Sequence, residues 1–445
     1  MIFEPFTMKG VTFKNRILRS SMGGRTSYYD GTVNSAWKQF EKKFSETGVA
    51  GIISATIDVC DDRLSPLEYP KLTHDRYIKP MREGVDQVHK QDCKYIMQIG
   101  DAGGQTQMSL FPQEADSKSA SKNFDLLYGY RNHTVAMTQE EIAEEVRLFA
   151  DSARRVREIG CDGIEVTISK GYILHQFLNP LTNRRTDEYG GSVEKRFRIV
   201  REVVAAVRKQ VGDDFLFGVR IAAVDFNYLP VNIRLPVVFP LRHWYMGNDL
   251  RETLYYGREL EKMGVDYLHV DSGFGFINPK GNPGTFPLDS IELFLNYTRH
   301  LSGKARFRAA LVNLTPSFLA KLIFGIGWKY VPGVNAGFAH EFKKAVKIPV
   351  IANGGFQKRD HIESTLQSGQ CDLIAMARPL LANPDLLKQF ADGKNEPDNP
   401  CTFCNQCCTK TAVLPMGCYD QTRFKTQQEM EDQIIGWSGT PLEGA

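Results

Sequence analysis

The chain has 445 residues, 42% hydrophobic and 24% charged, with 55 Lys and Arg against 52 Asp and Glu for a formal net charge of +3. This is the balance of a soluble globular protein large enough to bury a full core, and it gives no support for a nucleic-acid partner. The opening MIFEPFTMKG has no basic region leading into an apolar run, so no secretory signal is predicted and a cytoplasmic protein is expected.

Eight short apolar or β-branched runs follow one another: residues 17–22, 51–56, 95–99, 163–167, 216–221, 267–270, 350–352 and 373–376. Near-continuous apolar runs suit strands buried on both faces of a parallel sheet. Helical patterns separate most of them. The clearest opens at Thr138-Gln-Glu-Glu141, the spacing of a capping box, and runs to 159 before Gly160 stops it. Another spans 193–211 and stops at Gly212. Eight alternations without two-half symmetry favour an α/β fold of the closed (β/α)8 TIM barrel type over an open doubly wound sheet, with residues 1–395 as the barrel domain. Function in such a barrel gathers where the strands end.

Two segments break the rhythm. Residues 227–248 and about 274–333 are too long for ordinary strand–helix connections. The second holds an apolar, aromatic stretch, 318–328, flanked by Arg306, Arg308, Lys321 and Lys329. It is too short and interrupted to span a bilayer. It reads as a lid or an oligomer contact on the barrel mouth, with a helix lying on a membrane surface as the alternative. Residues 396–445 form a cysteine-rich tail with Cys401-x2-Cys404-x2-Cys407-Cys408 and then Cys418. Closely spaced thiolates with one remote partner can surround an iron–sulfur cluster or a zinc ion. Cys60, Cys93, Cys161 and Cys371 stand apart and read as small buried hydrophobes.

Several motifs occur in a telling order: Pro5-Phe6 with Lys14-Asn15-Arg16-Ile17, Gln98, Gly171-Tyr172 with Gln176-Phe177-Leu178-Asn179-Pro180, and the run NRRTDEYGGS from Asn183 to Ser192. Val219-Arg220-Ile221, Ala352-Asn353-Gly354-Gly355 and Met376-Ala377-Arg378-Pro379 follow. Together they resemble the old yellow enzyme family of FMN-dependent NAD(P)H oxidoreductases. The tail resembles that of its 2,4-dienoyl-CoA reductase and trimethylamine dehydrogenase branch. The resemblance implies FMN at the barrel mouth and NAD(P)H as co-substrate. Gly354-Gly355 and Ala377-Arg378 follow the seventh and eighth strands, where barrels bind phosphate through uncrowded backbone N–H groups. Gln98 offers an amide donor and acceptor that match a flavin pyrimidine edge. Arg220 is a poor core residue unless paired; the matching Arg of the family lies by the N1–C2 region, where it stabilises anionic reduced flavin. Ser20, Met22 and Ala55 match positions that line the flavin, whereas Ser21 and Gly23 depart from the usual Pro and Thr/Cys. Arg184, Arg185 and Asp187 read as structural or as framing the mouth.

The substrate side departs further. Many relatives carry His-x-x-His or His-x-x-Asn after strand four, and Thr167 and Lys170 stand at those positions here. Lys170 reads as a cationic donor to an oxyanion or as a solvated loop lysine; Thr167 reads as a hydroxyl donor or as the strand end. Tyr172 matches a family Tyr that donates a proton in dienoyl-CoA reductases, a role suited to a phenol that stays neutral at physiological pH. Tyr28, Tyr29, His269 and Asp271 are further mouth candidates, and His175 is expected to pack beneath the loop. Two cysteine registers are open: Cys401, Cys404, Cys407 and Cys418, or the same set with Cys408 replacing Cys407. The Cys407 set and a [4Fe–4S] cluster are preferred, with zinc as the other occupant. Both named relatives continue into a large second nucleotide-binding domain, which this chain is expected to lack.

The expected function is therefore an NAD(P)H-linked reductase of an activated C=C bond in a small-molecule substrate. One alternative is a dehydrogenase of amines or other substrates that passes electrons through the cluster to a partner protein. Another is a membrane-surface or assembly subunit with a vestigial flavin. A homo-oligomer is compatible with each.

Overall fold

The computed structural model describes residues 1–63, 69–106, 116–123, 133–227, 247–275 and 278–439. All eight apolar runs form strands: β1 Ile17–Arg19, β2 Gly51–Ile53, β3 Lys94–Gly100, β4 Gly163–Ile168, β5 Leu216–Ala222, β6 Tyr267–Asp271, β7 Val350–Asn353 and β8 Leu373–Met376. Each pairs in parallel with the next, and β8 returns to β1 through Ile374 opposite Ile17, which closes the cylinder. The (β/α)8 TIM barrel is the fold. The strands are buried on both faces because helices cover the outside and side chains fill the inside.

The filling is layered. Leu18, Ile53, Ile96, Leu216, Tyr267, Ile351 and Leu373 form an internal cluster with Met8 and Phe13. Those last two come from the hairpin Phe6–Met8 and Val11–Phe13, which packs on the barrel interior. Gly218 makes room for this layer, since a Cβ there would lie 1.9 Å from the Tyr267 ring.

Local signals act as expected in helix Gln139–Ile159. Thr138 and Glu141 close a reciprocal capping box, and Gly160 ends the helix in the left-handed region at φ 92°. The pattern 193–211 is not one helix. It divides into Val193–Arg196 and Arg198–Val211, with Phe197 between them stacked on Tyr256 at 5.1 Å. The backbone at Phe197 stays right-handed helical, with φ −75° and ψ −12°, so the interruption is a single residue.

Of the two long insertions, the first falls almost wholly outside the described residues. The second folds into three helices, Leu288–Thr298, Gly303–Leu314 and Ser317–Phe324. The tail packs on the barrel: helix Gln427–Ser438 seats Trp437 4.4 Å from Phe44 and 5.8 Å from Phe40. Cys60, Cys93, Cys161 and Cys371 are buried, and burial pushes the Cys93 and Cys371 thiols up to about 12.

One ion pair ties β1 to the first outer helix. Arg19 donates to Glu41 of helix Ser35–Ser45, and neither side chain is reached by solvent. Arg19 also donates to Met22 O at 3.1 Å, steadying the loop that follows β1. Removing one partner strands a buried charge. Glu41→Ala is expected to lose about 3–5 kcal/mol of unfolding free energy, measured by denaturant titration, whereas Arg19→Met with Glu41→Leu is expected to lose less.

Candidate active site

The strands end around a cavity of about 460 Å³, within the size range of cofactor and ligand sites. Ser20, Met22, Gln98, Thr167, Lys170, Tyr172, Arg220, Gly354, Gly355, Ala377 and Arg378 all line it. Ala55 is buried but does not contribute to the lining. Tyr28 and Tyr29 are exposed and lie outside it. His175 is buried beneath the loop, receiving Gly171 N–H at Nδ1 and meeting Asp225 through Nε2 at 2.7 Å. Arg185 donates to Asp187 and to the carbonyls of Ala120 and Met137, a structural brace.

A chain of buried polar groups runs beneath the cavity. Glu165 on β4 accepts from Gln98 Nε2 at 2.6 Å, from Tyr267 OH at 3.0 Å and from His269 Nδ1 at 3.2 Å. His269 Nε2 receives Asn353 Nδ2 at 2.9 Å, and Asn353 Oδ1 receives Asn335 Nδ2 at 3.0 Å. Asn335 Oδ1 in turn accepts from Ser272 Oγ at 2.7 Å. Every donor has an acceptor when His269 carries its proton on Nδ1. The consequence falls on Gln98: its Nε2 serves Glu165, so its Oε1 takes the hydroxyls of Ser21 and Thr56 at the cavity wall. Burial works against the Glu165 charge, but His269, Arg220 and Gln98 outweigh it and hold the carboxyl below its ordinary 4.5.

A second buried carboxylate holds the cations. Asp271 receives Arg220 Nε and Nη2, each at 2.8 Å, and has Lys170 Nζ at 3.5 Å. Lys170 Nζ donates to Ser272 O at 2.8 Å. Burial again opposes the charge of Asp271, yet Lys170 and Arg220 prevail and its carboxyl is held below 3.8. Burial pushes the Lys170 ammonium below 10.5 against the pull of Asp271. Lys170 reaches this place through an unusual backbone: φ is 55° at Lys170 and 76° at Gly171. A non-glycine residue in the left-handed region costs conformational energy and marks a position the surroundings enforce. Lys170 is therefore not a solvated loop lysine.

Beyond β7 and β8 the backbone opens. Gly354 and Gly355 have φ of 96° and 78°, and a Cβ at Gly355 would stand 2.3 Å from Val331 O. Arg378 is buried over the Phe403 ring at 4.9 Å, donating to Pro283 O at 2.8 Å and to Asn405 Oδ1. The lining fits a flavin nucleotide in chemistry. It combines an amide carbonyl, the guanidinium groups of Arg220, Arg308 and Arg378, a pair of glycines and apolar surface in one cavity.

The tail separates its cysteines. Cys401, Cys404, Cys407 and Cys418 line one small cavity of about 10 Å³ together with Arg378 and Arg423. Phe403 N–H donates to Cys401 Sγ at 3.4 Å and Arg423 Nη1 to Cys418 Sγ at 3.0 Å. Phe403 and Asn405 both take left-handed φ, 54° and 62°, which folds the loop back on itself. Thiolates suit an iron–sulfur cluster or zinc in donor type, but among the described residues no three His, Cys, Asp or Glu side chains are grouped closely enough to hold a metal ion. Cys408 instead lines the large cavity, where Cys407 also reaches.

Several lining residues carry no sequence signal. Tyr69 fills the space above Gly23, where a Cβ would come 2.6 Å from its hydroxyl, and Met416 of the tail fills that above Gly24 at 2.2 Å. The lid contributes Leu288, Ile291, Phe294, Leu295, Arg308, Val312 and Phe324. Glu165 did have a signal: a lone acid inside the apolar run GIEVTI, which burial tolerates only when paired.

Over residues 1–229 and 330–397 the chain matches the NADH:flavin oxidoreductase / NADH oxidase family. It belongs to that family. The chain is 30% identical over 410 residues to a metal reductase of Desulforamulus reducens, a match covering 92% of this chain and 51% of that one. It is 28% identical over 388 residues to an NADPH dehydrogenase of Geobacillus sp. (strain WCH70), covering 86% and 92%. A solved 2-naphthoyl-CoA reductase complex shares the fold at a TM-score of 0.74 and 20% identity, covering 94% of this chain and 56% of that one. The old yellow enzyme resemblance holds at the level of the family. The chain spans about half the length of several curated relatives that it matches.

The Glu165 network gives a pH signature. A depressed folded-state value means that its stabilisation is present above the unfolded value and lost as pH falls through the folded one. Glu165→Gln is expected to cost about 1–3 kcal/mol at neutral pH. The gap to wild type should narrow in urea titrations taken below the ordinary carboxylate range.

Proposed function

We propose that this protein is an FMN-dependent, NAD(P)H-linked ene-reductase. It would act on an activated C=C bond, with a [4Fe–4S] cluster on Cys401, Cys404, Cys407 and Cys418. The reading rests on one observation: Gln98, Arg220, Gly354, Gly355 and Arg378 line the same cavity as Tyr172, Thr167 and Lys170. Bound FMN would supply hydride transfer from NAD(P)H to the β-carbon of the substrate. The four-thiol group would supply one-electron transfer; zinc would fit the same donors, and iron and sulfide analysis separates the two.

This chain's residues do the rest. Gln98 Oε1 would accept an N–H of the pyrimidine edge in exchange for one of the Ser21 and Thr56 hydroxyls it now holds, since Glu165 occupies its amide. Arg220, aimed by Asp271, would bring positive charge to the ring. Gly354, Gly355 and Arg378 would hold the phosphate. Lys170, anchored on Ser272 O, lends positive charge to an oxyanion on the activating group, and Thr167 adds a hydroxyl. Tyr172 is buried at the cavity wall, where a phenol is placed to give its proton to the α-carbon.

The absence of histidine at 167 and 170 keeps amine oxidation as the second reading. Anaerobic flavin reduction by amines without enone turnover would select it.

Arg220→Ala is expected to weaken FMN binding about tenfold to a hundredfold, the worth of one charged hydrogen bond, read by fluorescence titration. Tyr172→Phe is expected to slow enone turnover by about a hundredfold or more while the stopped-flow rate of flavin reduction by NAD(P)H stays unchanged. Unimpaired turnover in Tyr172→Phe would remove Tyr172 as the acid.

A further inference from the structure

The lid is lopsided in a way that the cavity does not explain. Its inner side is apolar, as a cavity roof should be. Its outer side is apolar as well. Ten of the thirteen large hydrophobic side chains exposed among the described residues lie between 293 and 330. They are most exposed where helix Gly303–Leu314 turns into Ser317–Phe324: Leu314 is 83% exposed, Phe318 74% and Leu322 69%, with Ile326 at 57% just beyond. A monomeric globular protein rarely leaves such side chains clustered in water.

Charge is segregated in the same place. Residues 293–340 carry Arg299, Lys304, Arg306, Arg308, Lys321 and Lys329 and no Asp or Glu, in a chain that is close to neutral overall. Arg299, Arg306, Lys321 and Lys329 are exposed. Hydrophobic side chains flanked by cations and free of acids suit a surface that is apolar below and anionic at its rim. Helices Gly303–Leu314 and Ser317–Phe324 meet at 116°, and among the described residues no single helix is long and apolar enough to cross a membrane. A bent pair of this kind suits a membrane interface.

We infer that the outer face of this lid docks on an anionic phospholipid bilayer, with the Leu314–Phe318 turn entering the headgroup region and the four exposed cations meeting lipid phosphates. The lid lies mostly outside the residues matched to the family, which resume at 330. The docking face and the cavity roof are two sides of the same helices, so docking brings the mouth of the site to the lipid.

The test is flotation of the full-length protein with phosphatidylglycerol-containing vesicles and with pure phosphatidylcholine vesicles, alongside sedimentation velocity without lipid. Wild type is expected to float with the anionic vesicles and to be released by salt. Lys321→Glu should weaken binding about tenfold at low ionic strength. The double variant Leu314→Asp/Phe318→Asp should abolish binding while keeping the same circular dichroism spectrum and the same flavin content. Wild type that stays with the soluble fraction, or a double variant that floats equally well, would overturn the proposal. So would a wild-type oligomer that the double variant converts to monomer, because the face would then belong to a second copy of the chain. Vesicle binding is read without turnover, so failure of the ene-reductase reading would leave this result standing.

Discussion

Two carboxylates with no contact with solvent organise this barrel mouth. Glu165 and Asp271 sit inside the cylinder among other buried polar groups, Glu165 bonded through both of its oxygens and Asp271 pairing with its cations through Oδ2. A buried charge costs several kcal/mol unless paired, so each one dictates where its partners point. Glu165 turns Gln98 so that its carbonyl faces the cavity wall. Asp271 holds Arg220 by two nitrogens and keeps Lys170 within reach. The polar wall of the site is thus set from inside the core, before any ligand arrives.

This arrangement accounts for the departures from the family pattern. Where relatives use a histidine pair, the chain places a lysine on a left-handed backbone and anchors it on Ser272 O. Where relatives carry a side chain at position 23, Tyr69 occupies the space instead. Arg378 joins two sites: its charge reaches the large cavity, and its hydrogen bonds go to Pro283 and to Asn405 beside the thiol group. Barrel, lid and tail meet at that one guanidinium.

Much of this was legible in the residues. The eight strands could be read because strands buried on both faces must be apolar nearly throughout. The mouth could be read because Gln98, Thr167, Arg220, Asn353 and Arg378 stand at or near the ends of apolar runs, as polar residues that a core would reject. A lid over the mouth was legible in the length and apolar, aromatic composition of the second insertion. Which of its faces turns inward was not, because a helix apolar on several faces does not announce it. The single-residue interruption at Phe197 escaped, since the period of 193–211 is continuous. Cys407 was favoured over Cys408, but the two are neighbours on the short helix Gln406–Lys410 and spacing alone left both open. Residues 228–246, the core of the first insertion, fall outside the described residues.

The claim at the centre is that this cavity is a flavin site whose polar wall is aimed by Glu165 and Asp271. Diffraction from crystals grown with FMN tests it directly. The isoalloxazine is expected to contact Gln98 Oε1 and the Arg220 guanidinium, with the phosphate at Gly355 and Arg378. A cavity left without FMN under saturating ligand, or a flavin bound away from those groups, would contradict it.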